Sequence, residues 1–257
     1  MRRFIKKPVT GKVLLILAGL VYVCPVLVTF VLSLRFEDGF PTVEQFYELL
    51  ITNYTFLQYF WNSMYYSLCI TALCIVFSFP LGFLFAKVKF PGRDAIFFIY
   101  IVAMMLPFQT TLLPNYIQLR DFGLLDTPAA LVLPLAFSPF AVFLFRQFMK
   151  SVPQDVIEYT TLVTSSPFQI LRYAVVPHVK PAIAALAVIV FCESWNMIEP
   201  VFIFASKNPE IHPLSVTLGD LPADVSFSAA TVYMFPILML FMLFKEALAD
   251  SMKEYKW

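Results

Sequence analysis

Six long runs free of basic residues, at 13–34, 61–86, 95–119, 127–145, 181–198 and 225–244, set the terms for any fold this chain can adopt. A helix needs about 20 mostly apolar residues to cross ~30 Å of hydrocarbon, and these runs meet or approach that length. Only the fifth holds an acid, Glu193. All are too long for buried strands, and inside lipid the backbone N–H and C=O groups must be satisfied within the protein. The runs therefore predict an all-α integral membrane protein with six transmembrane helices, forming one transmembrane domain over 1–257. Composition excludes a soluble globule: of 257 residues 60% are hydrophobic and 14% charged, against roughly 45–50% and 25% in ordinary soluble domains. Lys+Arg at 18 against Asp+Glu at 17 leaves no basic face for nucleic acid.

Lys and Arg are retained on the cytoplasmic side far more strongly than acids, and the connections between runs are charged accordingly. With the N-terminus inside, Arg2, Arg3, Lys6, Lys7, Lys12, Lys87, Lys89, Arg93, Arg146, Lys150, Arg172, Lys180, Lys245, Lys253 and Lys256 all face the cytoplasm. Of the 18 basic residues only Arg35, Arg120 and Lys207 face outward, beside acids such as Glu37, Asp38, Glu44, Asp121 and Asp224. Both termini are expected in the cytoplasm. The first run lacks a small-residue cleavage site and reads as an anchor, not a signal peptide.

Cys24, Cys69, Cys74 and Cys192 lie inside runs without metal-ligand spacing and read as small apolar core residues. His178 and His212 are isolated, so no metal site is expected. Asn53-Tyr54-Thr55 fits the glycosylation pattern, a short motif of little weight.

Six apolar helices serve channels, carriers and scaffolds alike, so function must be read from the connections. The segment 146–180 is too polar to enter the bilayer and too patterned for a slack linker. Ser151-Val152-Pro153-Gln154 fits a capping box with proline in the first turn, and Ser166-Pro167-Phe168-Gln169 repeats it. Two short helices are expected, the first over 152–163 with Val152, Val156, Tyr159 and Leu162 on one face. The second should end near Val176, because Pro177 disfavours helical geometry in the residue before it. Two readings are open: a helical hairpin lying on the membrane surface, or a docking element for a cytoplasmic partner.

These residues resemble the inner-membrane permease subunits of ABC sugar importers, nearest the shorter subunit of the maltose and glycerol-phosphate group, over nearly the whole chain. The family's cytoplasmic "EAA" loop runs Glu-Ala-Ala, three residues, Gly, nine residues, then aliphatic, any, aliphatic, Pro. Glu158 stands at the Glu, Tyr159 and Thr160 at the alanines, Thr164 at the Gly, Ala174 and Val176 at the aliphatics and Pro177 at the Pro. Trp195-Asn196-Met197-Ile198-Glu199-Pro200 resembles a further family signature shortened by one residue, and Trp61-Asn62-Ser63 and Phe90-Pro91-Gly92-Arg93 are also similar.

The resemblance implies a type I ABC importer permease fold in a bacterial inner membrane. It implies a second permease subunit, a dimer of ATP-binding subunits and an extracytoplasmic solute-binding protein as partners. Glu158 would engage the ATPase groove, and Val156, Tyr159 and Leu162 would seat there. The departures have physical consequences: β-branched Thr164 disfavours the positive φ a glycine allows, so the bend between the two helices must be built differently. ATP and Mg are expected on the separate ATPase, since Thr10-Gly11-Lys12-Val13 is only a fragment of a phosphate-binding loop. No catalytic residue is expected in this chain.

Polar groups at membrane depth usually face a cavity or a partner helix. Glu193 and Asn196 share a helix face, with Ser194 and Trp195 turned away. Gln109 and Asn115 lie close after Pro107 and Pro114, prolines that free backbone carbonyls for other partners. Two readings are again open: these groups line a sugar path, with Trp195 offering a ring face, or they hydrogen-bond across the interface with the companion permease. Outside the family two alternatives stand, an ion-coupled secondary carrier with Glu193 as its buried charge, and a non-transporting permease-like scaffold.

Overall fold

Proline, more than polarity, decides how the apolar runs are cut into helices. The computed structural model describes residues 9–37, 40–222 and 225–254. Both termini, expected in the cytoplasm, lie outside these residues, as does Asp224. The chain divides into two compact units, one holding the residues up to Leu57 with Leu218–Phe235, the other Gln58–Thr217 with the chain from Pro236 onward.

In the first unit, α1 (Val9–Leu32) carries Pro25 internally and exposes its described apolar side chains nearly all round, Val21 at 71% and Tyr22 at 84%. A helix apolar on every face belongs in lipid or against other helices. Cys24 is exposed here, so the core role expected of it is corrected. The all-α expectation is also corrected in one detail: β1 (Arg35–Glu37) and β2 (Phe40–Thr42) form a short antiparallel ribbon with Arg35 opposite Thr42. After α2 (Glu44–Tyr47) and a π-helical turn, Asn53 Oδ1 accepts the Phe56 N–H at 3.1 Å and so caps the next helix.

The second unit carries most of α3 (Tyr54–Lys87), then α4 (Arg93–Met104), α5 (Phe108–Asp121), α6 (Pro128–Val132) and α7 (Pro139–Lys150). Its core is built at helical spacing. Tyr66, Ile70 and Cys74 of α3 are buried with Phe145 and Met149 of α7. Gly82 lets α3 and α7 meet, since a Cβ added there would lie 2.6 Å from Phe145 Cβ.

Among the described residues four helices are long and apolar enough to span a membrane: Tyr54–Lys87, Pro128–Lys150, Pro167–Trp195 and Ser226–Glu246. The third sequence run is not one straight helix: α4 and α5 meet at 97°, so 95–119 is a broken span or a re-entrant segment. Pro107, extended at φ −58° and ψ 142°, cannot continue the helix and restarts it at Phe108. The first run contributes a shorter apolar helical stretch, Ile16–Leu32. Beyond the one-turn α12 (Leu214–Thr217), the final helix α13 (Ser226–Glu254) exposes large side chains such as Phe235 and Leu243.

Candidate functional site: an exposed helical loop and a cavity of broken helices

The 146–180 segment begins at a buried cation. Arg146 of α7 donates from Nε to Phe85 O at 3.1 Å and from Nη2 to Asp94 Oδ1 at 3.1 Å, and its guanidinium carbon lies 3.7 Å from the Phe97 ring centre. Asp94 is largely exposed, so the ion pair itself is screened. The bond to Phe85 O is buried, and with the cation–π contact it holds three helices in register. Lys87 at the end of α3 donates to Val152 O at 2.6 Å and Lys150 O at 3.3 Å, satisfying carbonyls left open by the end of α7.

The first loop helix, α8, runs Gln154–Val163, two residues later than expected. The capping box at Ser151 does not form: its hydroxyl donates back to Phe148 O at 2.7 Å, terminating α7 instead. The expected apolar face is divided. Val152 and Ile157 are buried and Val156 packs against the core, whereas Tyr159 is 72%, Leu162 83% and Val163 88% exposed. Glu158 is exposed beside them.

Thr164 makes the turn without positive φ. It is extended at φ −145° and ψ 142°, its hydroxyl accepts the Ser166 N–H at 3.1 Å and donates to Gln169 Oε1. The hydroxyl thus supplies locally what a glycine would supply by conformational freedom. Helix α9 (Pro167–Ile170) does not end near Val176 as expected. It passes through a π-helical stretch, Leu171–Val175, directly into α10 (Val176–Trp195), with Ala174 and Val175 buried. The widened turn accommodates Pro177, which lacks an N–H and crowds the preceding turn.

The second feature is a cavity of about 490 Å³. Three helix interruptions open onto it: Phe108 at the start of α5, Leu135 and Ser138 at the 3₁₀ segment before α7, and Asn196 to Pro200 between α10 and α11 (Glu199–Phe204). Each break carries a proline, Pro107, Pro134 with Pro139, and Pro200. Glu193 and Asn196 both line it, as their shared face predicts, but Ser194, expected to turn away, lines it too, and Asn196 Nδ2 donates to Cys192 O at 2.7 Å at the end of α10. Gln109 Nε2 donates to both carboxylate oxygens of Glu199 at 3.1 Å, tying α5 to α11. Asn115, half-buried on α5, does not line the cavity.

Trp195 is corrected. It is fully buried, stacked on Phe191 at 5.6 Å and edge-on to Phe60 at 5.8 Å, so it is core and offers no ring face to a sugar. Sequence reasoning passes over Glu199, whose only signal is an acid next to Pro200 after a Trp-Asn pair. It also passes over Lys87 and Arg146, whose partners are too far along the chain for spacing to reveal.

Trp61-Asn62-Ser63 proves to be an anchor for the distant 209–214 segment. Asn62 Nδ2 donates to Glu210 O at 2.8 Å and His212 O at 3.1 Å, Tyr66 OH to Ile211 O at 2.9 Å, and buried Ser63 Oγ accepts the Leu214 N–H at 2.7 Å.

Three comparisons bear on this arrangement. The arabinooligosaccharides transport system permease protein AraQ of Bacillus subtilis is 29% identical over 209 residues, 76% of this chain and 74% of that protein. The sn-glycerol-3-phosphate transport system permease protein UgpE of Brucella abortus is 31% identical over 203 residues, 72% of each. A solved bacterial ABC transporter involved in the import of the acidic polysaccharide alginate has a chain of the same fold. Its TM-score is 0.81 and its identity 19%, over 93% of this chain and 95% of that one. Residues 78–254, which include the loop and every described lining residue of the cavity except Ile70, match the binding-protein-dependent transport system inner membrane components, and the chain belongs to that family of multi-pass membrane permeases.

Proposed function

We propose that this chain is a permease subunit of an ATP-driven importer for a carbohydrate or related polyol, and that its 146–180 loop docks on a separate ATPase. The observation that carries this reading is the outer face of α8, where Glu158 stands beside exposed Tyr159, Leu162 and Val163. Such an apolar row on a polar helix is costly in water unless a partner covers it. Val156 and Ile157 turn inward and, with the Lys87 and Arg146 contacts, would carry motion of α8 into α3 and α7. Thr164 and Pro177 would set the bend and the re-entry into α10.

In this reading α1, α3, the bent α4–α5 pair, α6–α7, α10 and α13 make six spans with both termini and the loop in the cytoplasm. A second permease subunit completes the path, an extracytoplasmic binding protein delivers the solute, and ATP with Mg is held by a dimer of ATP-binding subunits. Glu193, Asn196, Glu199 and Gln109 contribute to the path. The relatives for arabinooligosaccharides and sn-glycerol-3-phosphate support a hydroxylated substrate.

Glu158→Arg tests the docking. The variant should insert in the membrane normally while ATPase co-purification and ATP-driven uptake fall about tenfold or more, since reversing a charge in a docked contact costs at least ~1.4 kcal/mol. Wild-type association and uptake in that variant would sink the assignment.

A further inference from the structure

We infer that the cavity discriminates by charge, admitting uncharged, hydroxyl-rich solutes and rejecting anions. This inference rests on the permease reading and narrows it, because the substrates for which the relatives are named include both a neutral oligosaccharide and a phosphate ester.

The argument is chemical. Glu193 and Glu199 both line the cavity, and no Lys, Arg or His is among its described lining residues. Ionised carboxylates only accept hydrogen bonds. Ser194 behaves the same way here, because its hydroxyl proton is already directed to Val190 O at 2.7 Å and Phe191 O at 3.1 Å. The cavity is therefore rich in acceptors. A saccharide presents a donor on every hydroxyl and matches this wall. A phosphate or uronate is itself an acceptor, needs cations or N–H donors, and meets two acids instead.

Gln109 matters for the same reason. By donating to both oxygens of Glu199 it fixes that carboxylate at the start of α11, beside the Asn196–Ile198 break, so the acid is a positioned wall group. Apart from the uncharged polar residues Ser138, Ser194 and Asn196, the rest of the lining, including Ile70, Phe108 and Val190, is apolar and carries no countercharge. A volume of about 490 Å³ lies within the ~300–1,000 Å³ range of small-molecule sites. Even one ionised acid in such a setting disfavours an anion ~6 Å away by on the order of 100-fold at an effective dielectric near 20.

The test uses the whole importer in proteoliposomes and reads the cavity independently of the binding protein. Ile198, 49% exposed on the cavity wall, is replaced by Cys after the four native cysteines are changed to Ala. Its reaction rates with the cationic trimethylammonioethyl and the anionic sulfonatoethyl methanethiosulfonates are each divided by the rate with free cysteine. The cation should be favoured about tenfold or more, the threshold set by ~1.4 kcal/mol of potential. Glu193→Gln with Glu199→Gln should bring the ratio close to one. A ratio near one in the parent, or one the double variant leaves unchanged, overturns the inference. In parallel, the importer with native residues should take up arabinotriose with ATP at least about ten times faster than sn-glycerol 3-phosphate. Equal uptake of the phosphate overturns the charge class alone, whereas no ATP-driven uptake of either solute removes the permease reading and this inference with it.

Discussion

Replacing Gly82 by Ala should loosen the contact that holds the loop end of the structure together. The added Cβ would sit 2.6 Å from Phe145 Cβ, 3.2 Å from Arg146 N and 3.3 Å from Phe145 C. Carbon contacts settle near 3.5–4.0 Å, and the obstacles are backbone and Cβ atoms that no rotamer change can move. The helices α3 and α7 must therefore separate by about 1 Å. The Arg146 bond to Phe85 O, now 3.1 Å, then leaves hydrogen-bond range. Overpacking costs about 1–3 kcal/mol and the weakened bond about 1 more, while Ala in place of Gly returns about 1 in helix propensity. The net loss of about 1–3 kcal/mol corresponds to a drop of roughly 2–10 °C in apparent Tm for a chain this size, read by thermal unfolding in detergent. Gly19 in α1 has nothing within 4 Å of its added Cβ, so Gly19→Ala is the matched control and should leave Tm unchanged or slightly raised. A Gly82→Ala protein as stable as that control would refute the close approach.

Arg146→Met should destabilise by about 1–3 kcal/mol in the same assay, because it strands the Phe85 carbonyl, while Asp94→Asn should change little because Asp94 is largely exposed. Equal losses would mean that Arg146 is held by the ion pair to Asp94 and not by the buried bond to Phe85 O. Thr164→Val keeps the extended backbone but removes the hydroxyl, so hydrogen exchange at Ser166 should quicken several-fold, as expected for loss of a bond worth about 1 kcal/mol. Thr164→Gly should lower stability by about 0.5–1 kcal/mol, since the site is extended and a glycine adds only unfolded-state freedom. A gain in stability or ATPase binding from that glycine would show the threonine turn to be strained.

Long-range order is legible in the sequence where it repeats locally and hidden where it depends on distant pairing. The apolar runs predict the long helices because length and hydropathy are additive along the chain. Pro107 and Pro177 have similar local signals and opposite outcomes. Pro107 follows Leu106 at a 97° break, whereas at Pro177 the π-helical stretch Leu171–Val175 absorbs the misfit and the helix continues. What decides between them is tertiary packing, since Ala174, Val175 and Val179 are buried around Pro177 while Met105, Leu106 and Pro107 lie exposed. Thr164 is readable because β-branching disfavours the glycine geometry wherever it occurs. Trp195 is not, because a helix face tells which residues point together and not which face meets the core. Trp195 holds the buried side, while Glu193, Ser194 and Asn196 line the cavity.

The cavity shows why breaks, and not charges alone, are suited to this task. A continuous helix has no backbone donors or acceptors to spare, and a polar path through it would have to be built from side chains at heavy desolvation cost. Interrupting α4–α5, α6–α7 and α10–α11 brings residues from all three interruptions to the wall of one cavity. Proline makes each break without adding charge. Side chains supply the polarity: Asn196 ends α10 through Cys192 O, Gln109 holds Glu199, and Glu193 and Glu199 set the sign of the site. These breaks divide the helices around the cavity into short segments, whereas the contact between α3 and α7 is made by packed helices. The consequence is a division of labour within one unit: the Gly82–Phe145 contact and the Arg146 cluster fix the end of α3 against α7 where the 146–180 segment begins, and the proline breaks shape the cavity.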